Sequence, residues 1–113
     1  MVSLAEFRKL ALSFDETVEL PHFEKNSFRV NKKIFATLEP TAQKIVLKFT
    51  EIEQSVFCAF DKSIIYPVPG AWGKKGYTYL ELKKIRKDLL KDAVTVSYCN
   101  VAPKKLTEKY KQS

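Results

Sequence analysis

A chain of 113 residues with 45% apolar content has the size of one domain, expected over residues 1–113, and enough core to need no metal or disulfide. No apolar run approaches the ~20 residues that cross a bilayer, and the N-terminal Met-Val-Ser-Leu-Ala-Glu-Phe-Arg-Lys lacks the basic and then apolar segments of a secretion signal. The expectation is a cytoplasmic monomer without membrane contact. The formal charge of +7 is unevenly placed: residues 1–61 carry 8 basic and 9 acidic side chains, residues 62–113 carry 12 and 4. A positive second half attracts polyanions, although lysine also serves solubility alone.

Ser3 and Glu6 have the spacing of a capping box, and Leu4, Phe7, Leu10, Ala11 and Phe14 recur at helical spacing. This predicts a first helix over residues 3–14 with Phe7 and Leu10 inward. Asp15, Glu16 and Glu19 then read as a solvated loop that Pro21 keeps from continuing the helix. From Ser27 the period changes to two: Phe28 and Val30, a polar Asn31-Lys32-Lys33 tip, Ile34 to Leu38, a turn at Pro40, then Ile45, Leu47 and Phe49 on one side with Lys44, Val46 and Lys48 on the other. Short connections make these three strands an antiparallel meander.

Thr50 and Glu53 repeat the capping box, and Ile52, Val56, Phe57 and Phe60 supply an apolar stripe for a helix over residues 51–60. Next come two β-prone runs, Ile64 to Tyr66 and Tyr77 to Leu82. They flank a loop that holds Pro67, Pro69, the only Trp and all three Gly. Lys74 and Lys75 stand between Gly73 and Gly76, which predicts an exposed basic tip on backbone open to close approach. Trp72 is expected to anchor this loop on the core. A long helix follows from about Lys87, ends before Pro103, and gives way to another turn through Tyr110.

Chemistry-bearing residues are sparse. His22 is the lone histidine, Cys58 and Cys99 are far apart among apolar neighbours, and no phosphate-cradling loop or zinc spacing is present. The chain is therefore expected to have no catalytic residues, no metal and no cofactor. The two basic tips remain: Lys32 and Lys33, then Lys74 and Lys75, with Lys83, Lys84, Arg86 and Lys87 as a supporting cluster. Tips of this kind can lie against a phosphate backbone, with Trp72, Tyr77 and Tyr79 able to stack or wedge. Arginine, which favours bidentate base recognition, occurs only at Arg8, Arg29 and Arg86, so contact with DNA is expected to be sequence-poor and salt-sensitive.

The chain resembles the MmcQ/YjbR family along nearly its whole length. The resemblance is carried by Phe7-Arg8-Lys9-Leu10-Ala11-Leu12, Pro21-His22-Phe23 followed by Ser27-Phe28-Arg29-Val30, Tyr66-Pro67-Val68-Pro69 with Trp72-Gly73-Lys74 and Gly76, and Val101-Ala102-Pro103-Lys104-Lys105-Leu106. It implies an α+β fold, an antiparallel sheet with helices on one face like that of the bacterial frataxin homologue, in a double-wing arrangement often described as DNA-binding. Lys75 and Tyr77 stand where the family is expected to show His and Trp. The leading expectation is a non-catalytic, sequence-nonspecific DNA-binding domain. The alternative is an interaction module for a protein or small acidic ligand, built on a groove around His22, Trp72 and Tyr77.

Overall fold

Two helices packed on one face of a sheet build the core. The computed structural model describes residues 2–22 and 25–110, with His22 described in its backbone only. Helix α1 (Leu4–Leu12) starts as its sequence requires: the Ser3 hydroxyl accepts from the Glu6 N–H at 3.0 Å and the Glu6 carboxylate accepts from the Ser3 N–H at 3.1 Å. Phe7 and Ala11 are fully buried, while Leu10 packs at the margin of the core. Glu6 also pairs with Lys87, and that ammonium together with the Ser3 backbone lowers its pKa to about 2.

The acidic segment after α1 is a turn at Asp15 and Glu16, as expected, but Glu19 lies in a strand. It enters strand β1 (Thr17–His22) through Glu16, whose φ of 57° reverses the chain. Glu19 accepts from Arg8 at 3.0 Å and from Asn26 at 2.8 Å, so a carboxylate expected in solvent ties α1 to the sheet. Strands β2 (Lys25–Val30), β3 (Lys33–Glu39) and β4 (Lys44–Lys48) form the expected meander. With β5 (Ile65–Pro67) and β6 (Tyr77–Glu81) they complete a six-stranded antiparallel sheet in the order β1-β2-β3-β4-β6-β5. Both edge strands contain a proline, Pro21 in β1 and Pro67 in β5. A bulge opposite Phe28 and Arg29 breaks the alternation of β3, so that Phe35 and Ala36 are both buried.

Helix α4 (Lys87–Val101) lies with α1 on one face of the sheet. Phe7 meets Phe28 edge-on at 5.3 Å, and Tyr98 packs against Phe14 at 4.9 Å and Phe35 at 5.3 Å. The buried Ser97 hydroxyl donates to the Phe35 carbonyl and accepts from the Lys48 N–H at 2.9 Å, which pins α4 across β3 and β4. Beyond Pro103, helix α5 (Lys104–Thr107) and a 3₁₀ turn (Glu108–Tyr110) bring Tyr110 onto Phe14 and Tyr98.

Helix α2 (Glu51–Cys58) has the expected capping box but not the expected stripe. Only Phe57 turns inward, stacked on Phe49 at 4.8 Å; Ile52, Val56 and Phe60 are 78%, 55% and 64% exposed. The helix sits beside β5 at the sheet edge, where one contact line suffices and the rest of its surface has no layer to cover it. Cys58 and Cys99 are not in disulfides and lie half-buried beside the core. Among the described residues no helix is long and apolar enough to cross a membrane.

Candidate nucleic-acid interface

Antiparallel register fixes which side chains share the face opposite α1 and α4. Thr37, Val46, Tyr79 and Tyr66 form one row across β3, β4, β6 and β5, and Lys48 stands beside Tyr77 in the next. Trp72 reaches over this face and meets Tyr77 edge-on at 5.2 Å, while Tyr66 lies 5.6 Å from Tyr79. A shallow cavity of about 240 Å³ runs between Trp72, Tyr77, Tyr79 and Val46 towards Lys25 and Glu39.

Each ring in this group except Tyr66 has a lysine ammonium against it. Lys44 lies 4.0 Å from the centroid of Tyr79, Lys48 4.6 Å from Tyr77 and Lys75 5.4 Å from Trp72. Lys48 also donates to the Lys75 carbonyl. The other end of the face is charge-balanced: Glu39 pairs with Lys25 at 3.7 Å, Lys44 stands between Glu39 and Glu81 in the register, and Glu81 accepts from the Tyr66 hydroxyl. Burial, reinforced by that Glu81 contact, raises the Tyr66 phenol to about 12. Burial and then Glu39 push the Tyr79 phenol up in the same sense.

The segment bearing Trp72, Lys74 and Lys75 departs from the expected open tip. Residues Ala71–Lys74 form a short helix, α3, and the glycines around the lysines face inward. A Cβ on Gly73 would lie 2.0 Å from the Val68 carbonyl oxygen, and one on Gly76, where φ is 101°, would lie 1.8 Å from the Phe49 carbonyl oxygen. These glycines let the chain pack against itself, not against a partner. The Gln54 amide fastens the segment by donating to the Gly73 carbonyl at 2.9 Å and the Thr78 hydroxyl at 3.1 Å. Trp72 is 59% exposed and so does not anchor the loop in the core. The anchors are Gly73, Gly76 and Gln54.

Lys32 and Lys33 stand at the β2–β3 turn, whose two central residues, Asn31 and Lys32, have φ of 51° and 67°. Register puts this turn at the same end of the sheet as Lys48, Lys74 and Lys75, because Val30 pairs with Lys33 and Lys48 pairs with Tyr77. Lys83 and Lys84 follow β6 at the opposite end. Arg86 is paired with Asp88 at 2.6 Å and Lys87 with Glu6. The expected basic set thus divides, with four lysines at one end and the supporting cluster removed from it. Sequence reasoning passed over Lys44, Lys48 and Tyr66 as site residues; the alternation of Lys44-Ile45-Val46-Leu47-Lys48 was the available signal. The His22 side chain, expected to wall a groove with Trp72 and Tyr77, lies outside the described residues. Among the described residues no group of three or more His, Cys, Asp or Glu could hold a metal ion.

The family model described as YjbR matches residues 12–100, and the chain belongs to that family. No curated protein matches at a significant level. The fold is similar to the crystal structure of the Deinococcus radiodurans protein DR2400, whose family-model domain is DUF419. The TM-score is 0.80 at 18% identity, over 96% of this chain and 88% of that one.

Proposed function

With membership of the YjbR family as the premise, we propose that the protein is a non-catalytic, monomeric nucleic-acid-binding domain that grips phosphate backbone without reading sequence. The observation that carries this reading is the convergence of Lys32, Lys33, Lys74 and Lys75, with Lys48 between them, at one end of the sheet. Lysine offers charge without the planar fork that arginine uses to read bases, and the excess of +7 adds long-range attraction. Two rigid supports, the tight β2–β3 turn and the glycine-packed α3 segment, hold the ammonium groups outward.

Four phosphate contacts give a slope of about −3.6 in log affinity against log salt, since each contributes about −0.9 on duplex DNA. Anisotropy titrations of duplexes of unrelated sequence should show that slope and little preference. Replacing Lys74 and Lys75 together with Ala should reduce its magnitude by up to about two units. Replacing Lys83 and Lys84 at the opposite end should leave it unchanged. Affinity indifferent to salt, or equal losses from both double variants, would sink the assignment to this end of the sheet.

A further inference from the structure

We propose that the nucleic acid this domain prefers is single-stranded, its unpaired bases stacking on the open face of the sheet beside Trp72 and Tyr77. The inference rests on the phosphate-binding reading above and names the substrate class for the same end of the molecule. Trp72 with Tyr77 and Tyr79 with Tyr66 form two neighbouring pairs of rings on the face opposite α1 and α4. Tyr77 and Tyr79 are two residues apart on one strand, which sets them roughly 6.5 Å from each other, a step that an extended strand of nucleotides can follow base by base. A duplex keeps its base faces stacked internally and has no use for such rings.

Charge selects this occupant over an apolar partner. Lys75, Lys48 and Lys44 stand over Trp72, Tyr77 and Tyr79 in turn, so every one of these rings except Tyr66 has a cation within reach of the phosphate belonging to a base stacked there. The ammonium that now covers the ring turns to the phosphate as the base takes its place. At the other end Glu39 and Glu81 flank Lys44 in the register and Glu39 pairs with Lys25, so the lysines without a carboxylate across the strand pair lie at the Trp72 and Tyr77 end, which directs the strand towards Lys74, Lys75 and the β2–β3 turn.

Trp72 is the sole tryptophan, so its fluorescence reports the site directly. The protein is titrated with a thymidine oligonucleotide of roughly twelve nucleotides, an abasic strand of equal length, and a duplex of equal length. Tighter binding of the thymidine strand than of the other two, with quenching of Trp72 by that strand alone, is expected. Trp72→Ala, followed by anisotropy of a labelled strand, should weaken thymidine binding by about fivefold to a hundredfold and leave abasic binding unchanged. Tyr77→Leu should do the same, with a thermal melt to confirm that it is folded. Equal affinity for all three ligands without quenching would overturn the stacking inference and leave phosphate binding standing. Binding to none of them would overturn both.

Discussion

The two faces of the sheet carry similar aromatic content and opposite fates. On the helix-covered face Phe7 meets Phe28 and Phe35 meets Tyr98, both edge-on at 5.3 Å, and all four are excluded from solvent. On the open face Trp72, Tyr77, Tyr79 and Tyr66 keep the same ring spacing, but lysines occupy the side where a helix would be. Packing between rings is equally available on both faces. The difference lies in the second layer: aliphatic and aromatic side chains from α1 and α4 make one face a core, and long cationic side chains make the other a surface that a polyanion can enter.

Removing a ring from the closed face should have the largest effect. Phe7→Ala leaves a cavity against Phe28 and should cost about 3–5 kcal/mol in a urea titration, a loss that the packed surroundings cannot collapse to recover. A loss under half of that would show that α1 contributes less to the core than α4. Alkaline titration of a Tyr66→Phe, Tyr79→Phe variant, which lacks the two open-face phenols raised in the same sense, tests the closed face. The Tyr98 phenol is fully buried, donates to the Asp15 carbonyl at 2.8 Å and is raised to about 12, chiefly by burial. The unfolded phenol ionises near its ordinary value of 10, so this contribution to stability is intact below about pH 10 and falls away as the pH climbs towards 12. Denaturation midpoints that stayed level across that window would contradict it.

Smaller effects belong to the open face and its basic end. Lys32 holds a left-handed conformation that glycine adopts freely, and Asn-Gly is the favoured pair for such a turn. Lys32→Gly should therefore raise stability by about 1 kcal/mol while weakening DNA binding, which separates the two readouts at a single residue. Trp72→Ala should shift stability least, by about 0.5 kcal/mol, because the ring is mostly in solvent. A thermal midpoint that fell steeply would mean that the open-face rings support the fold as the closed-face rings do.

Much of the fold was legible because local signals agreed. Both capping boxes, the three strands of the meander and the stop at Pro103 read directly, since each depends on residues within a few positions. Strand β1 did not read, because Thr17 to His22 mixes one acidic residue and a proline and becomes a strand only by pairing with β2 and accepting Arg8. The stripe on α2 misled for a related reason: periodicity states which residues share a side of a helix, not whether another layer meets that side. Trp72 was legible as a site residue but its exposure was not. A tryptophan among prolines and glycines suggests an anchor, whereas here the glycines themselves make the close contacts.

The prolines in β1 and β5 reach beyond the fold of a single chain. A sheet with two free edges can recruit further strands, and an unbroken row of edge donors is what templates intermolecular sheets and fibrils. Pro21 removes a donor from one edge, and Pro67 removes one from a strand only three residues long at the other. Strand addition is thus interrupted at both sides, and the open face can stay uncovered at high concentration without the sheet growing from its edges.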